Sequence, residues 1–204
     1  AESNLHSEEK AFQRMARETD AGDVQDSDKP EYVARADRIV LPGDGAYPAS
    51  MAALTEVRGV FYALTEAVEE KGRPFLGICV GKQLMALKGH EYEIVDGLGW
   101  INGEVRRISP SDPTFKVPHM GWNDLVIDRP HPVLEGLSTG DHAYFVHSYQ
   151  MEMNDPSERL AHCGYGGDVT AIVGRDNLVG TQFHPEKSQT AGLRLIANWL
   201  NWRP

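Results

Sequence analysis

Cysteine is scarce in this chain of 204 residues: Cys79 and Cys163 are its two thiols, too few for a disulfide framework, so both are expected to be reduced. Basic residues are also in deficit, with twenty Lys and Arg against thirty Asp and Glu and a formal net charge of −10. Phosphate backbones are held by clustered cations, and no Lys/Arg cluster occurs here, which argues against a nucleic-acid surface. No apolar run reaches the length needed to cross a bilayer and the first residues carry no leader pattern, so neither membrane nor secretion is expected and the cytoplasm is. The eight histidines form no His-x-x-x-His pattern with a helical acid between them. Neither a metal nor another cofactor is therefore expected, and His119, His131, His142 and His162 read as surface or structural residues.

What is present suits one α/β domain over residues 1–204, with 41% hydrophobic residues and a mean hydropathy of −0.42. Ser7 is positioned to cap a helix carrying Phe12, Met15 and Ala16 on one side. Arg38-Ile39-Val40-Leu41 reads as a short buried strand running into Pro42-Gly43-Asp44-Gly45. A long helix over about 48–71 precedes a strand at 75–78 and a further helix. Such alternation predicts an open, mostly parallel sheet flanked by helices. Beyond residue 100 the pattern changes to strands at 100–108, 117–127, 143–151, 169–173 and 178–183, with Asp176-Asn177 as a hairpin turn, so the sheet is expected to be mixed. A final helix after Ser188 repeats Leu193, Ile196, Ala197 and Leu200 at spacings of three and four, one apolar stripe.

The most informative segment is Phe75-Leu76-Gly77-Ile78-Cys79-Val80-Gly81-Lys82-Gln83. A short apolar run ends in a cysteine with a glycine two residues to either side, the arrangement a nucleophile elbow needs, because a tight strand-to-helix turn leaves no room for side chains there. Glycines weaken an ordinary buried strand, which disfavours a merely structural role for Cys79. A free thiol is only about a few per cent thiolate at neutral pH, so a nucleophilic cysteine calls for a base, and the base for a group that orients it. About a hundred residues on, Gln182-Phe183-His184-Pro185-Glu186-Lys187-Ser188 supplies a histidine and a carboxylate two positions apart. Rival motifs fail on spacing: Gly77 to Lys82 is one residue short of a phosphate-binding loop and has Gln83 where Ser or Thr belongs. Gly43-Asp44-Gly45 has Pro48 where a dinucleotide fingerprint needs its third glycine.

With Gly77-Ile78-Cys79-Val80-Gly81-Lys82-Gln83 and His184-Pro185-Glu186-Lys187-Ser188, the chain resembles the class I (triad) glutamine amidotransferases, whose fold is flavodoxin-like. Pro118-His119-Met120-Gly121-Trp122-Asn123, Tyr144-Phe145-Val146-His147-Ser148-Tyr149 and Asn4-Leu5-His6-Ser7 narrow the likeness to the glutaminase subunits of imidazole glycerol phosphate synthase. The resemblance implies hydrolysis of glutamine by Cys79, His184 and Glu186, with oxyanion donors at Val80 and in Gly43-Asp44. It implies substrate contacts at Gly45, Gln83, His147, Ser148 and Tyr149. It also implies a heterodimer with a cyclase subunit of (β/α)₈ barrel form that consumes the ammonia, reached through Asn4, Met120, Trp122, Asn123, Tyr144 and Lys187. An aromatic such as Trp122 has independent merit as an interface anchor, with core packing as the alternative. The alternatives in function are an amidotransferase serving anthranilate or purine synthesis, and a non-catalytic module that keeps the fold.

Three departures from the family pattern bear on these expectations. No strand precedes the Asn4 block in this sequence, and residues 21–27 are too polar for the next one, so either residues precede Ala1 or the sheet is expected to lack its N-terminal strand. Lys82 replaces a usual methionine. Asp44 replaces an apolar residue, and a carboxylate beside a developing oxyanion would oppose catalysis unless it faced solvent or a cation such as Lys82.

Overall fold

The computed structural model describes residues 2–204, and the side chains from residue 5 onward. In chain order the elements are α1 (Glu2–Thr19), α2 (Pro30–Arg35), β1 (Ile39–Leu41), α3 (Tyr47–Glu56), α4 (Arg58–Thr65), β2 (Phe75–Ile78), α5 (Val80–Gln83), β3 (Ala86–Gly89), β4 (Val95–Asp96), β5 (Ile101–Arg107), β6 (His119–Asp124), β7 (Val126–Ile127), β8 (His142–His147), β9 (Tyr149–Met153), β10 (Arg159–Gly164), β11 (Asp168–Arg175), β12 (Leu178–Thr181) and α6 (Gln189–Asn201).

Six strands form an open mixed sheet in the order β1-β2-β12-β11-β10-β7. Within this sheet parallel pairing is confined to β1, β2 and β12, the part that carries the cysteine; β11, β10 and β7 add on antiparallel. Beside it lie a four-stranded sheet, β4-β3-β5-β9, and a ribbon of β6 and β8. Residues 21–27 form no strand, and β1 is the sheet edge among the described residues. Phe75, Leu76 and Ile78 of β2 are fully buried, as the short apolar run requires of a strand covered on both faces.

Several boundaries differ from the sequence expectation. The expected long helix breaks at Val57 into α3 and α4, with a π-helical turn at Glu66–Glu70. The break turns α4 onto α2, where Gly59 lies so close to Pro30 that an added Cβ would come within 2.6 Å of the proline ring. The strand expected over 143–151 is interrupted at Ser148, and that over 117–127 at Leu125. Strands β3, β4 and β10 and helix α2 have no counterpart in the sequence reading, because their exposed faces are polar and the runs are short. Asp176 takes a left-handed φ of 49°, as the turn between β11 and β12 requires.

Ser7 lies inside α1 rather than at its start, since the helix already begins at Glu2. Phe12, Met15 and Ala16 are buried as expected, and Phe12 meets Trp199 of α6 edge to face at 6.1 Å. The buried face of α6 is Leu195, Ile196, Trp199 and Leu200, rotated from the expected stripe because Trp199 rather than Ala197 turns inward. Ser188 makes no side-chain cap on that helix; its hydroxyl is committed to the loop before it.

Candidate active site

The elbow follows from sterics. Cys79 has φ 56° and ψ −113°, a conformation costly for any residue with a Cβ, and it is tolerated where the surroundings over-determine it. Its amide donates to Thr181 O at 2.8 Å, which ties the turn to β12. A Cβ on Gly77 would stand 2.7 Å from Gly81 O, and one on Gly81 would collide with Leu41 O. Both glycines are therefore required by the close approach of β1, β2 and the turn. The helix that follows is a single turn, shorter than expected, so any help to a thiolate comes from local amides more than from a long helix.

His184 is delivered from the other side. The chain leaves β12, and the segment from 184 to 188 is laced to β8: His184 N donates to Tyr144 O at 3.2 Å, Tyr144 N to Ser188 Oγ at 3.0 Å, and Ser188 Oγ to His184 O at 2.7 Å. His184 Nδ1 lies 2.9 Å from Glu186 Oε1, and its ring lies near enough to the Cys79 side chain to respond to it. Burial by itself would lower its proton affinity. The interactions with Cys79, Glu186 and Glu8 outweigh burial and push His184 up to about 11. The three residues singled out in the sequence thus meet at one buried site.

Glu8 was not anticipated. It projects from α1 with 5% exposure, and its Oε1 lies 3.6 Å from His184 Nδ1. Burial, with the nearby Glu186 carboxylate, raises its pKa against the lowering pull of His184. A signal existed: Glu8, Phe12 and Met15 share one helical face, and a carboxylate on a core-facing stripe needs a partner. Glu8, His184 and Glu186 are the group among the described residues whose ligand atoms, within 4.8 Å of one another, could hold a cation. Ion pairing with His184 already accounts for both acids.

The segment expected to supply oxyanion donors does not offer them in this conformation. Val80 N, one expected donor, is engaged by Gly43 O at 3.1 Å, so a carbonyl oxygen stands where an oxyanion would need to be. Asp44 and Gly45 are exposed, which keeps the Asp44 carboxylate at the surface rather than against the buried sulfur. Lys82 is fully buried and turns the other way, its Nζ donating to Thr170 O at 3.2 Å.

Gln83, His147 and Tyr149 converge. Gln83 Nε2 donates to Tyr149 O at 3.2 Å, and His147 Nδ1 donates to the same oxygen at 2.8 Å. His147 Nε2 then accepts from His119 Nδ1 at 2.8 Å, and His119 Nε2 accepts from Asn123 Nδ2 at 3.1 Å. Burial lowers His119 to about 4 and His147 to about 3, so both rings are neutral links in this chain. His119 is thus structural, as expected, while both ring nitrogens of His147 are used inside the protein. Ser148 interrupts the strands and its carbonyl accepts from Ile108 N at 2.9 Å. Gly45 sits on the exposed loop ahead of α3.

The β6–β8 ribbon alternates cleanly: His119 is buried, while Met120 is 62% and Trp122 49% exposed. Trp122 is therefore not a core residue. It pairs across the ribbon with Tyr144, ring centroids 5.8 Å apart. Asn123 turns inward instead, donating to Gly164 O at 2.9 Å as well as to His119. Lys187 is partly exposed on the 3₁₀ turn beside Tyr144, and the Asn4 side chain lies outside the described residues.

Residues 6–201 match the family model "Glutamine amidotransferase class-I". The imidazole glycerol phosphate synthase subunit HisH of Cereibacter sphaeroides is 67% identical over 201 residues, covering 98% of this chain and 95% of that protein. The proteins of the same name from Ruegeria pomeroyi and Rhizobium meliloti are 64% and 54% identical with the same coverage. A solved structure described as a glutamine amidotransferase superposes with a TM-score of 0.70 at 21% identity, covering 94% of this chain and 92% of that one. The glutaminase domain of Trypanosoma brucei CTPS superposes at 0.65 and 15%, covering 98% and 89%. At those identities the two structures speak to the fold alone.

Proposed function

The chain belongs to the class-I glutamine amidotransferase family, and from that membership and its likeness to HisH proteins we infer that it is the glutaminase subunit of an imidazole glycerol phosphate synthase, acting in histidine biosynthesis. The observation that carries the reading is the line from Cys79 through His184 to Glu186 on an elbow that only glycines can flank.

The chemistry follows from the geometry. The Cys79 sulfur attacks the side-chain carboxamide carbon of glutamine. His184, whose raised proton affinity lets it hold the thiol's proton, delivers that proton to the departing nitrogen as the C–N bond breaks. Ammonia leaves, and a γ-glutamyl thioester remains on Cys79. His184 then takes a proton from water as the water oxygen attacks the thioester; the C–S bond breaks and glutamate is released. Glu186 holds the imidazole in the orientation that points Nε2 at the sulfur. The negative oxygen of each tetrahedral intermediate requires the Val80 amide together with an amide from Gly43-Asp44, which means rotating the Gly43 carbonyl out of the way. Backbone groups of Gly45, Ser148 and Tyr149 beside the Gln83 amide are proposed to hold the amino-acid end of glutamine; His147 shapes that wall rather than touching substrate through its ring.

Ammonia released to water is protonated and lost to synthesis, so the product needs an adjacent acceptor. The proposed acceptor is a cyclase of (β/α)₈ barrel form, bound as a heterodimer in the cytoplasm through Met120, Trp122, Tyr144, Lys187 and the neighbouring Asn4 and Asn123. The exposure of Met120 and Trp122 on a narrow ribbon supports this surface. Mixing the chain with a cyclase partner and its open-chain ribulosyl nucleotide tests the whole: glutamine should drive formation of imidazole glycerol phosphate and aminoimidazole carboxamide ribotide. Glutamate release without either product would leave a glutaminase of another pathway, and no glutamate release under any condition would leave a binding module.

A further inference from the structure

We infer that Gln182 is a hydrogen-bond donor to the Cys79 sulfur, and that Lys82, buried on the elbow turn, is the residue that positions it. The inference rests on Cys79 being the nucleophile, but it concerns how the sulfur is held rather than which reaction it performs.

The orientation of the Gln182 amide is decided by its neighbours. Lys82 Nζ approaches Gln182 Oε1 at 3.4 Å and Gln83 Nε2 approaches the same oxygen at 3.3 Å. An ammonium and an amide nitrogen are donors only, so the group facing them must be the acceptor oxygen, and turning the amide over would set donors against donors. With the oxygen held, Gln182 Nε2 can face only the other way, where Cys79 Sγ lies at 3.8 Å. Gln182 has no exposure and is fastened at the backbone by its amide to Ala171 O at 2.8 Å, so the donor is fixed before any substrate arrives.

Lys82 itself is hard to explain any other way. It is fully buried, and a buried ammonium is costly unless it is paired. Its hydrogen bonds go to the neutral oxygens of Thr170 and Gln182, and no carboxylate forms an ion pair with it among the described residues. Room is made for it on β12, where a Cβ on Gly180 would meet Lys82 Cγ at 2.6 Å. The groups that can balance its charge are the sulfurs of Cys79 and Cys163. Burial pushes the Cys163 thiol up to about 12 against the lowering pull of Lys82, so the sulfur left for Lys82 to act on is that of Cys79. On the far side stands the neutral ring of His147, and Cys79 also faces His184 with Glu186 and Glu8 behind it. Burial brings Lys82 down to about 7, so its charge, and with it the hold on the sulfur, varies within the working range of pH.

The test follows alkylation of Cys79 by iodoacetamide from about pH 5 to about pH 10 in the full chain, read by peptide mass, with folding checked by circular dichroism. Glutamine turnover is not needed, so a failed positioning role is distinguishable from a failed glutaminase reading. Lys82→Met keeps the volume and removes the charge; its profile should move to higher pH by about one unit, with a roughly tenfold slower reaction at neutral pH. Gln182→Met should slow the neutral-pH reaction by about fivefold, the effect of one lost donor. A Lys82→Met profile that superimposes on the wild type overturns the proposal. Should Lys82→Met fail to fold, Gln182→Met decides, and an unchanged alkylation rate in that variant overturns it equally.

Discussion

The amide of Val80 donates to the carbonyl of Gly43 at 3.1 Å. The donor that should meet the oxyanion is already occupied, and by the segment that should supply the second donor. Releasing it needs one peptide rotation at Gly43-Asp44, where glycine tolerates either sign of φ and the Asp44 side chain lies at the surface, clear of the core. The chain alone should therefore hydrolyse glutamine weakly. Adding the cyclase with its nucleotide should raise glutamate release by about 10²-fold or more, the scale of one regained oxyanion donor. Full activity in the isolated chain would contradict this.

Removing the nucleophile should separate the two half-reactions. Cys79→Ala adds no bulk to the elbow, so folding and partner binding should persist while glutamine hydrolysis is abolished. Synthesis supplied with ammonium salt should continue. A coupled assay with each nitrogen source reads both outcomes, and glutamine-dependent glutamate release at the wild-type rate would remove Cys79 from the mechanism.

The base and its orienter should rank in order. His184→Ala should cost at least about 10²-fold in glutamine-dependent kcat, and up to about 10⁴-fold, as expected of positioned proton transfer. Glu186→Gln should cost less, because the imidazole stays in place and Glu8 still lies within reach of Nδ1. Steady-state kinetics of the complex settle the ranking, and a greater loss at Glu186 would reverse the assignment.

Acid should destabilise the protein through the Asn123–His119–His147 chain. His119 and His147 are held at about 4 and about 3 by burial, below the ordinary 6.5 of the unfolded chain. The unfolded state then binds more protons as pH falls below 6.5, so the stability these residues contribute is present above that value and lost down to about 4 and 3. His184 has the opposite sign: its contribution is present below 6.5 and lost as pH rises toward 11. Thermal unfolding across pH should show the acid limb, and His147→Gln, which cannot take up a proton, should flatten it. An acid limb unchanged in that variant would assign it elsewhere.

Truncating Trp122 should act on coupling alone. Trp122→Ala removes a half-exposed ring that pairs with Tyr144 at 5.8 Å, on the outward face of the ribbon. Stimulation by the cyclase should fall by about tenfold or more, the cost of losing an aromatic anchor. Alkylation of Cys79 in the isolated chain should stay as in the wild type; a slowed alkylation would show that the ring supports the fold of the site.

What could be read from the sequence was whatever rests on local rules. Paired glycines around a cysteine state a steric requirement that holds wherever the turn occurs, and the close approach of Gly81 to Leu41 O is its consequence. The His184 and Glu186 types carried their chemistry with them, and the apolar faces of α1 and β2 followed from period and burial. Tertiary structure decided whatever depends on which distant element arrives. Glu8 reaches His184 because α1 packs beside the loop after β12, and no spacing in the chain encodes that meeting. The direction of the Gly43 carbonyl is a backbone rotamer, invisible in residue type. Trp122 faces outward because β6 pairs with β8 in a register that turns His119 inward. Lys82 buries its charge because Gly180 of β12 leaves space beside it, so its side chain lies within the field of the sulfur. Local sterics bind each residue to its neighbours in sequence, whereas a buried charge takes its meaning from groups about a hundred residues away that only folding brings within its reach.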